Sequence, residues 1–423
     1  MRDARQHLRE VWKLRGADPS VVSLPLSQAA GRVCAEPVLA PQPSPLFNNS
    51  QMDGFALSAA HLQMLPTRLK VGPTVAAGAD VDALYPNGLL DAVAPVMTGA
   101  RLPVGCVAVV PVERCVPGSF ADADREGVWV PAVAEGLFVR ERGSDVAAGD
   151  LVLEAGARLD ALALAALRGV GVERVPVWQR RRAVVCFGGA EVGGSGPAQV
   201  PEVNGSLLSD LCATHGIEVV ARVRTDDRVE RLRADLRQAL RLHRPDVVVT
   251  SGGISHGRFE VVRQLLEGED VAWFGHVAQQ PGGPQGLAVF DSVPVVCLPG
   301  NPISTLVSFR LFVAPVWGDL SPRFSHPVFG AVSAFLDGPV EGLPDTRVQL
   351  RRAFLRADNH GSLVVSVLGG GSSHLLAQAA SANALAWVEP GARLERGDVL
   401  RVVPLNWFAS PPADASGEAT LGF

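Results

Sequence analysis

Asp246-Val-Val-Val-Thr-Ser-Gly-Gly-Ile-Ser255 sets a run of β-branched residues directly against a glycine pair. Apolar residues on consecutive rather than alternate positions read as a strand covered on both faces, the situation of a parallel sheet between helices. The neighbouring sequence repeats the signal in Ala183 to Phe187, Ile217 to Val223 and Val295 to Leu298. Between these runs, Val229, Leu232, Leu236, Ala239 and Leu240 fall on one helical face, with Asp227 and Glu230 spaced as a capping box. Residues 181–320 are therefore predicted to form an α/β domain with a parallel-rich sheet.

In such a sheet, ligands bind beyond the carboxyl ends of the strands, where loops lead into helices. Three loops qualify. Thr250 to Ser255 supplies glycines that let backbone N–H groups approach an anion. In Leu298-Pro-Gly-Asn-Pro-Ile-Ser304, Asn301 is an N-cap and Pro302 a first helical residue. Phe187-Gly-Gly-Ala-Glu191 places a carboxylate at a strand end. Each alone is equally an ordinary turn or helix cap.

Working outward, Leu8, Val11 and Trp12 have the spacing of an amphipathic helix that stops at Gly16. Residues 27–142 alternate short apolar runs, such as Val71 to Val75 and Val107 to Val112, with Gly and Pro, an irregular β pattern. Ala161 to Leu167 reads as an apolar helix expected to pack back against the first one. After Pro322 the runs Arg347 to Leu355, Leu363 to Leu368, Ala384 to Val388 and Val399 to Leu405 predict a small β-barrel or sandwich. The tail beyond Pro411 is small and polar, and is expected to fray.

Composition narrows the classes. The 423 residues carry 38 basic and 43 acidic side chains, a net charge of -5, which leaves no footprint for duplex nucleic acid or an anionic membrane. The six cysteines form no C-x-x-C pair or zinc spacing, and read as buried thiols of a reducing compartment. A charged N-terminus and apolar runs broken by Arg101, Asp160 and Arg168 argue against a signal peptide or a spanning helix. A cytoplasmic protein is expected.

A second constellation lies in the irregular region: Asn49 to Ala56 around Asp53, Met97-Thr-Gly-Ala100, and Arg140 to Asp145. With Leu24 to Val33, Ser251-Gly-Gly-Ile-Ser255, Leu298 to Ser304, Gly371-Ser-Ser-His374 and Ala382-Asn383, these motifs make the chain resemble, in order and over nearly its whole length, the molybdopterin molybdenumtransferases, the family of MoeA and the gephyrin E-domain. The resemblance implies four parts. A small discontinuous domain spans residues 1–26 and 143–176, and an inserted irregular β domain spans 27–142. A MogA-like α/β domain covers 177–324, a C-terminal β-barrel 325–410, and a flexible tail 411–423.

It also implies a homodimer whose cleft lies between the α/β domain of one chain and the inserted domain of the other. The implied reaction inserts molybdate into adenylylated molybdopterin, with Mg2+, and releases AMP; the molybdopterin adenylyltransferase or another pathway protein is an implied partner. Asp53, Thr98, Asp145, Glu191, Asp226 and Glu260 match catalytic positions, with Glu191 and Asp226 as metal ligands. Ser251, Gly252, Gly253, Ser255, Pro299, Gly300, Asn301, Pro302, Ser304, Arg347 and Ser372 match substrate-binding positions.

The chain departs from the family pattern in three places. Gly188-Gly-Ala-Glu191 stands for Thr-Gly-Asp-Glu, Glu260 for an aspartate, and Gln280 and Gly283 for two lysines. A second reading follows, a degenerate paralogue that binds the cofactor or a pathway partner without insertion. The two differ in whether His256, Arg258 or Arg263 reaches the space left at Gln280 and Gly283.

Overall fold

The structure is a computed structural model that describes residues 1–189, 200–226, 228–254, 260–319, 331–369 and 376–405. Two compact units make up the chain: Val22–Val177, and Met1–Val21 together with Trp178–Phe423.

In the first unit, β1 (Gly54–Ser58), β2 (Thr67–Val71), β3 (Ala92–Val96), β4 (Cys106–Pro111) and β5 (Val128–Val130) form one sheet in the order β4-β1-β3-β2-β5. Gly54 is required here by close approach, because a Cβ on it would fall 2.1 Å from the carbonyl oxygen of Val110 on the paired strand. A separate core gathers around α2 (Ala161–Gly169), whose Leu164 and Leu167 bury with Leu26, Leu159, Val175 and Val177.

The other unit opens with α1 (Ala4–Lys13), started by Asp3, whose carboxylate accepts the N–H of Gln6 at 2.7 Å. The helix is where the spacing predicts it, but its buried face is Ala4, His7 and Val11. Trp12 lies outside, 49% exposed with the Arg15 guanidinium over its ring, so the apolar residue at i+4 is a surface one. The helix packs into the α/β core, where His7 sits 4.6 Å from the ring of Phe312 and 5.1 Å from that of Trp273.

That core is built on β6 (Arg182–Gly188), α3 (Asn204–Thr214), β7 (Glu218–Thr225), α4 (Val229–His243), β8 (Val247–Ser251), α5 (Val261–Leu266), β9 (Ala272–His276), β10 (Pro284–Phe290), β11 (Val293–Leu298) and α6 (Pro302–Ser308). The sheet order is β7-β6-β8-β11-β10-β9, with β7, β6, β8 and β11 parallel and β10 and β9 antiparallel. Consecutive apolar residues divide between the faces as the sequence pattern requires. Val247 and Val249 join Leu208 and Cys212 of α3, while Val248 joins Leu232 and Leu236 of α4 and Leu265 of α5. Helix α4 has Arg228 at its N-cap and no side-chain cap, so Glu230 is not the far end of a capping box; Asp227 lies outside the described residues.

The last part is a closed barrel of β12 (Val332–Leu336), β13 (Val348–Ala357), β14 (Leu363–Val367), β15 (Ala384–Val388) and β16 (Val399–Pro404). The order β13-β14-β12-β16-β15 returns to β13, so no edge remains open. Four of its strands were legible within two residues; β12 was not. Asn383 pins the barrel, its amide donating to the Leu355 carbonyl at 2.7 Å and accepting the Leu355 N–H at 2.6 Å. Leu350, Leu385, Trp387 and Val403 continue into the α/β core, so barrel and α/β domain share one apolar cluster.

All six cysteines are free, five of them buried, and burial pushes the Cys186 and Cys297 thiols up to about 12. Among the described residues no helix is long and apolar enough to cross a membrane.

Burial, with Arg2 nearby, lowers His7 from 6.5 to about 3, and neither ring nitrogen meets a hydrogen-bond partner among the described residues. Its proton is therefore taken up on unfolding, and stability held above pH 6.5 is lost as the pH falls toward 3. His7→Leu is expected to flatten the slope of unfolding free energy by up to about 1.4 kcal/mol per pH unit in that window, read from urea midpoints against pH. An unchanged slope would place the titrating group elsewhere.

Candidate active site

The site grows from register. Pairing of Gly188 with Thr225, Phe187 with Ser251, and Ser251 with Leu298 sets the carboxyl ends of β6, β7, β8 and β11 side by side. Beyond them opens a cleft of about 670 Å³, wholly within the α/β unit. Gly252 and Gly253 turn the chain with φ of +91° and +69°, a left-handed backbone that glycine adopts without strain. A Cβ on Gly300 would stand 3.2 Å from the Gly252 Cα, so the two glycine loops meet backbone to backbone.

Hydrogen bonds hold that contact. Gly252 N–H donates to the Leu298 carbonyl at 3.0 Å. The buried Ser251 and Thr305 hydroxyls lie 3.0 Å apart, and Thr305 donates to the Pro299 carbonyl at 2.7 Å. Asn301 caps α6 by accepting the Ile303 N–H at 3.2 Å, with Pro302 in the first turn as the sequence predicts. Among the described residues the N–H groups of Gly253 and Gly300 meet no acceptor, so both are open to an anion.

The structure brings seven of the sequence-predicted residues to this cleft. Ser251, Gly252 and Gly253 line it from one loop, Pro299, Gly300 and Pro302 from another, and Glu260 from the start of α5. Ser304 is buried in the first turn of α6 and does not line it. Asp226 follows the lining residue Thr225, but its carboxylate is held by Arg228 and, at 2.9 Å, by Arg231; the Arg228 hydrogen bond keeps it below the usual carboxylate range. Arg347 does not line the cleft, and its guanidinium is tied to Asp345 at 2.6 Å. Glu191, Ser255 and Ser372 lie outside the described residues.

Asp53, Thr98 and Asp145 belong to the Val22–Val177 unit. There Asp53 accepts both the N–H of Thr98, at 2.6 Å, and its hydroxyl, at 2.8 Å, and these bonds lower its pKa. Asp145 is exposed, its N–H donating to the Ser44 carbonyl at 3.0 Å. Glu202 and Asn204 are among the lining residues that escaped the sequence reading. Glu202 accepts the Gly205 N–H at 2.6 Å, and Asn204 donates to the Gly300 carbonyl at 2.6 Å. The only signal was a polar pair ahead of a helix.

The loop that lacks the two lysines has its own support. Gln279 donates to the Gly282 carbonyl at 3.1 Å and Gln285 to the same oxygen at 2.7 Å, while the Gln280 amide accepts from Gln349 at 2.8 Å. Arg263 is engaged by Glu267 at 2.8 Å, and His256 and Arg258 lie outside the described residues. The ring that borders the vacated position is His276, whose Cδ2 stands 3.6 Å from a Cβ built on Gly283, next to the lining residue Pro284.

A hard divalent cation needs several oxygen ligands. Among the described residues no three acidic, histidine or cysteine side chains converge, and Asp226 is already neutralised by arginines. These residues alone do not make a Mg2+ cradle.

Thr305→Val keeps the shape of the side chain and removes the hydroxyl that ties the two loops. It is expected to cost about 1–3 kcal/mol in urea unfolding, largely recovered by Thr305→Ser. A cost below about 0.5 kcal/mol would mean that the loops are held by other contacts.

Comparison with known proteins matches this geometry. Residues 1–171 match the MoeA N-terminal region (domain I and II), 171–318 the probable molybdopterin binding domain, and 343–405 the MoeA C-terminal region (domain IV). The chain is 35% identical over 402 residues to molybdopterin molybdenumtransferase 2 of Mycobacterium tuberculosis, covering 91% of this chain and 95% of that protein. It is 28% identical to the molybdopterin molybdenumtransferase of Haemophilus influenzae, over 90% and 93% of the two chains. The crystal structure of the molybdopterin biosynthesis MoeA protein from Pyrococcus horikosii superposes with a TM-score of 0.71 at 26% identity, over 96% of this chain and 99% of that one. With the sequence, the domain order and the fold in agreement along its length, the chain belongs to the molybdopterin molybdenumtransferase (MoeA) family.

Proposed function

We propose that this chain is a molybdopterin molybdenumtransferase, taking molybdate and adenylylated molybdopterin to molybdenum cofactor with release of AMP. The observation that carries the reading is the cleft at the carboxyl ends of the parallel strands, where Gly253 and Gly300 present unpaired N–H groups, in a chain whose full-length relatives bear that name. Backbone donors held by a fixed loop pair suit a phosphate or an oxyanion, because they need no reorganisation when charge arrives. The degenerate alternative is the weaker one, since the loop scaffold is intact and His276 borders the position vacated at Gly283.

In this reading Ser251, Gly252, Pro299, Asn301 and Pro302 shape the anion pocket, with Ser304 behind them. Glu260 sets the charge at its rim, and His276 stands in for a missing lysine. Asp53, Thr98, Asp145 and Glu191 remain proposed catalytic positions, and Ser255, Arg347 and Ser372 proposed binding positions, on the family resemblance. Of the two proposed Mg2+ ligands, Asp226 is a carboxylate already paired with arginine, and Glu191 lies outside the described residues. A cytoplasmic homodimer and contact with the molybdopterin adenylyltransferase complete the proposal. Sedimentation at twice 44.4 kDa supports the dimer, and a monomer at working concentration removes it.

The deciding experiment follows AMP release from adenylylated molybdopterin by the purified protein with Mg2+, with and without molybdate. Molybdate-dependent release is expected, with kcat/KM for molybdate lowered at least about tenfold in His276→Ala and restored in His276→Lys. Tight nucleotide binding without turnover would instead establish the cofactor-binding paralogue.

A further inference from the structure

A second cavity, of about 560 Å³, lies at the opposite end of the same sheet, where Arg182, Asp246 and Val293 mark the amino ends of β6, β8 and β11. Strand β8 spans five residues, so the two ends stand roughly 17 Å apart. Five arginines line this cavity: Arg15, Arg180, Arg181, Arg182 and Arg244. Among the described residues only two carboxylates, Asp18 and Asp246, line the cavity with them.

Both carboxylates are already committed. Asp18 pairs with Arg15 at 2.7 Å. Asp246 takes the guanidinium of Arg181 at 3.2 Å and the backbone N–H of Arg182 at 2.7 Å. Arg181 is buried and also donates to the Ala17 carbonyl at 2.6 Å, so it is part of the wall. The guanidinium groups of Arg180, Arg182 and Arg244 meet no carboxylate among the described residues, and the buried Nε of Arg15 has no acceptor there. Arg244 caps α4 in the left-handed region, at φ 44°, where glycine is the unstrained choice. Five positive and two negative side chains leave a local charge of +3 on a chain whose net charge is -5.

We propose that this arginine-lined cavity is a second binding site, separate from the candidate active site, for a small molecule carrying two or more phosphates. Guanidinium groups match phosphate oxygens bidentately, and a concave wall bearing several uncompensated cations concentrates field on one compact anion. The volume exceeds that of a single phosphate, which favours a diphosphate or a nucleotide over an isolated oxyanion.

The test titrates the full chain with inorganic pyrophosphate at low salt by calorimetry, and maps the bound state by hydrogen exchange. Slowed exchange is expected at Arg15 to Ser20, Gln179 to Arg182 and Arg244 to Asp246. The double charge reversal Arg182→Glu with Arg244→Glu is expected to weaken binding at least about tenfold at unchanged Tm. Asp18→Asn removes one competing carboxylate and is expected to tighten binding several-fold, a gain that a misfolded variant cannot imitate. Slowed exchange confined to Gly188, Ser251 to Gly253 and Gly300, an affinity indifferent to the charge reversals, or no heat at about 1 mM pyrophosphate would each overturn the proposal.

Discussion

Everything at the candidate active site depends on two glycine loops being allowed to touch. A Cβ on Gly300 would crowd the Gly252 Cα at 3.2 Å, and the Thr305 hydroxyl bridges to Ser251 and Pro299 at the same place. The contact turns two ordinary strand-to-helix loops into one rigid surface. Helix α6, capped by Asn301 and starting at Pro302, anchors that surface into the core through its buried continuation Phe309 to Trp317. A local choice of residues with small or fixed backbones thus converts sheet register into a set of aimed donors.

The polarity of the sheet has a second effect. Parallel strands present all their carboxyl ends on one side and all their amino ends on the other, so a single domain offers two chemically distinct mouths. One is lined by glycine and proline, where specificity rests on main-chain groups. The other is lined by arginine side chains, which attract by charge.

Much of this was legible in the residues, and the misses have identifiable causes. Buried parallel strands advertise themselves because both faces demand apolar residues, and β8 and β11 were readable for that reason. The glycine pair and the Asn-Pro helix start were readable because backbone conformation restricts residue choice at such turns. The face of α1 was misread because His7 is buried between aromatic rings while Trp12 lies on the surface, and hydrophobicity ranks them the other way. Strand β12 was invisible because its residues alternate between the barrel interior and exposed positions over only five residues, too few to stand out. Glu202, Asn204 and His276 were missed because their importance comes from what lies across space, which one-dimensional spacing does not encode.

The burial of α1 also bears on how the chain is made. Its Ala4, His7 and Val11 are translated well before their packing partners, which include Trp273 and Phe312. At roughly 5–20 residues per second, the helix waits about 15–60 s for its binding surface to be synthesised. A ten-residue segment is marginal as an isolated helix in water, so it spends that interval largely unfolded. The segment is therefore among the last to find its place, and it closes the α/β core after Val22–Val177 has already emerged.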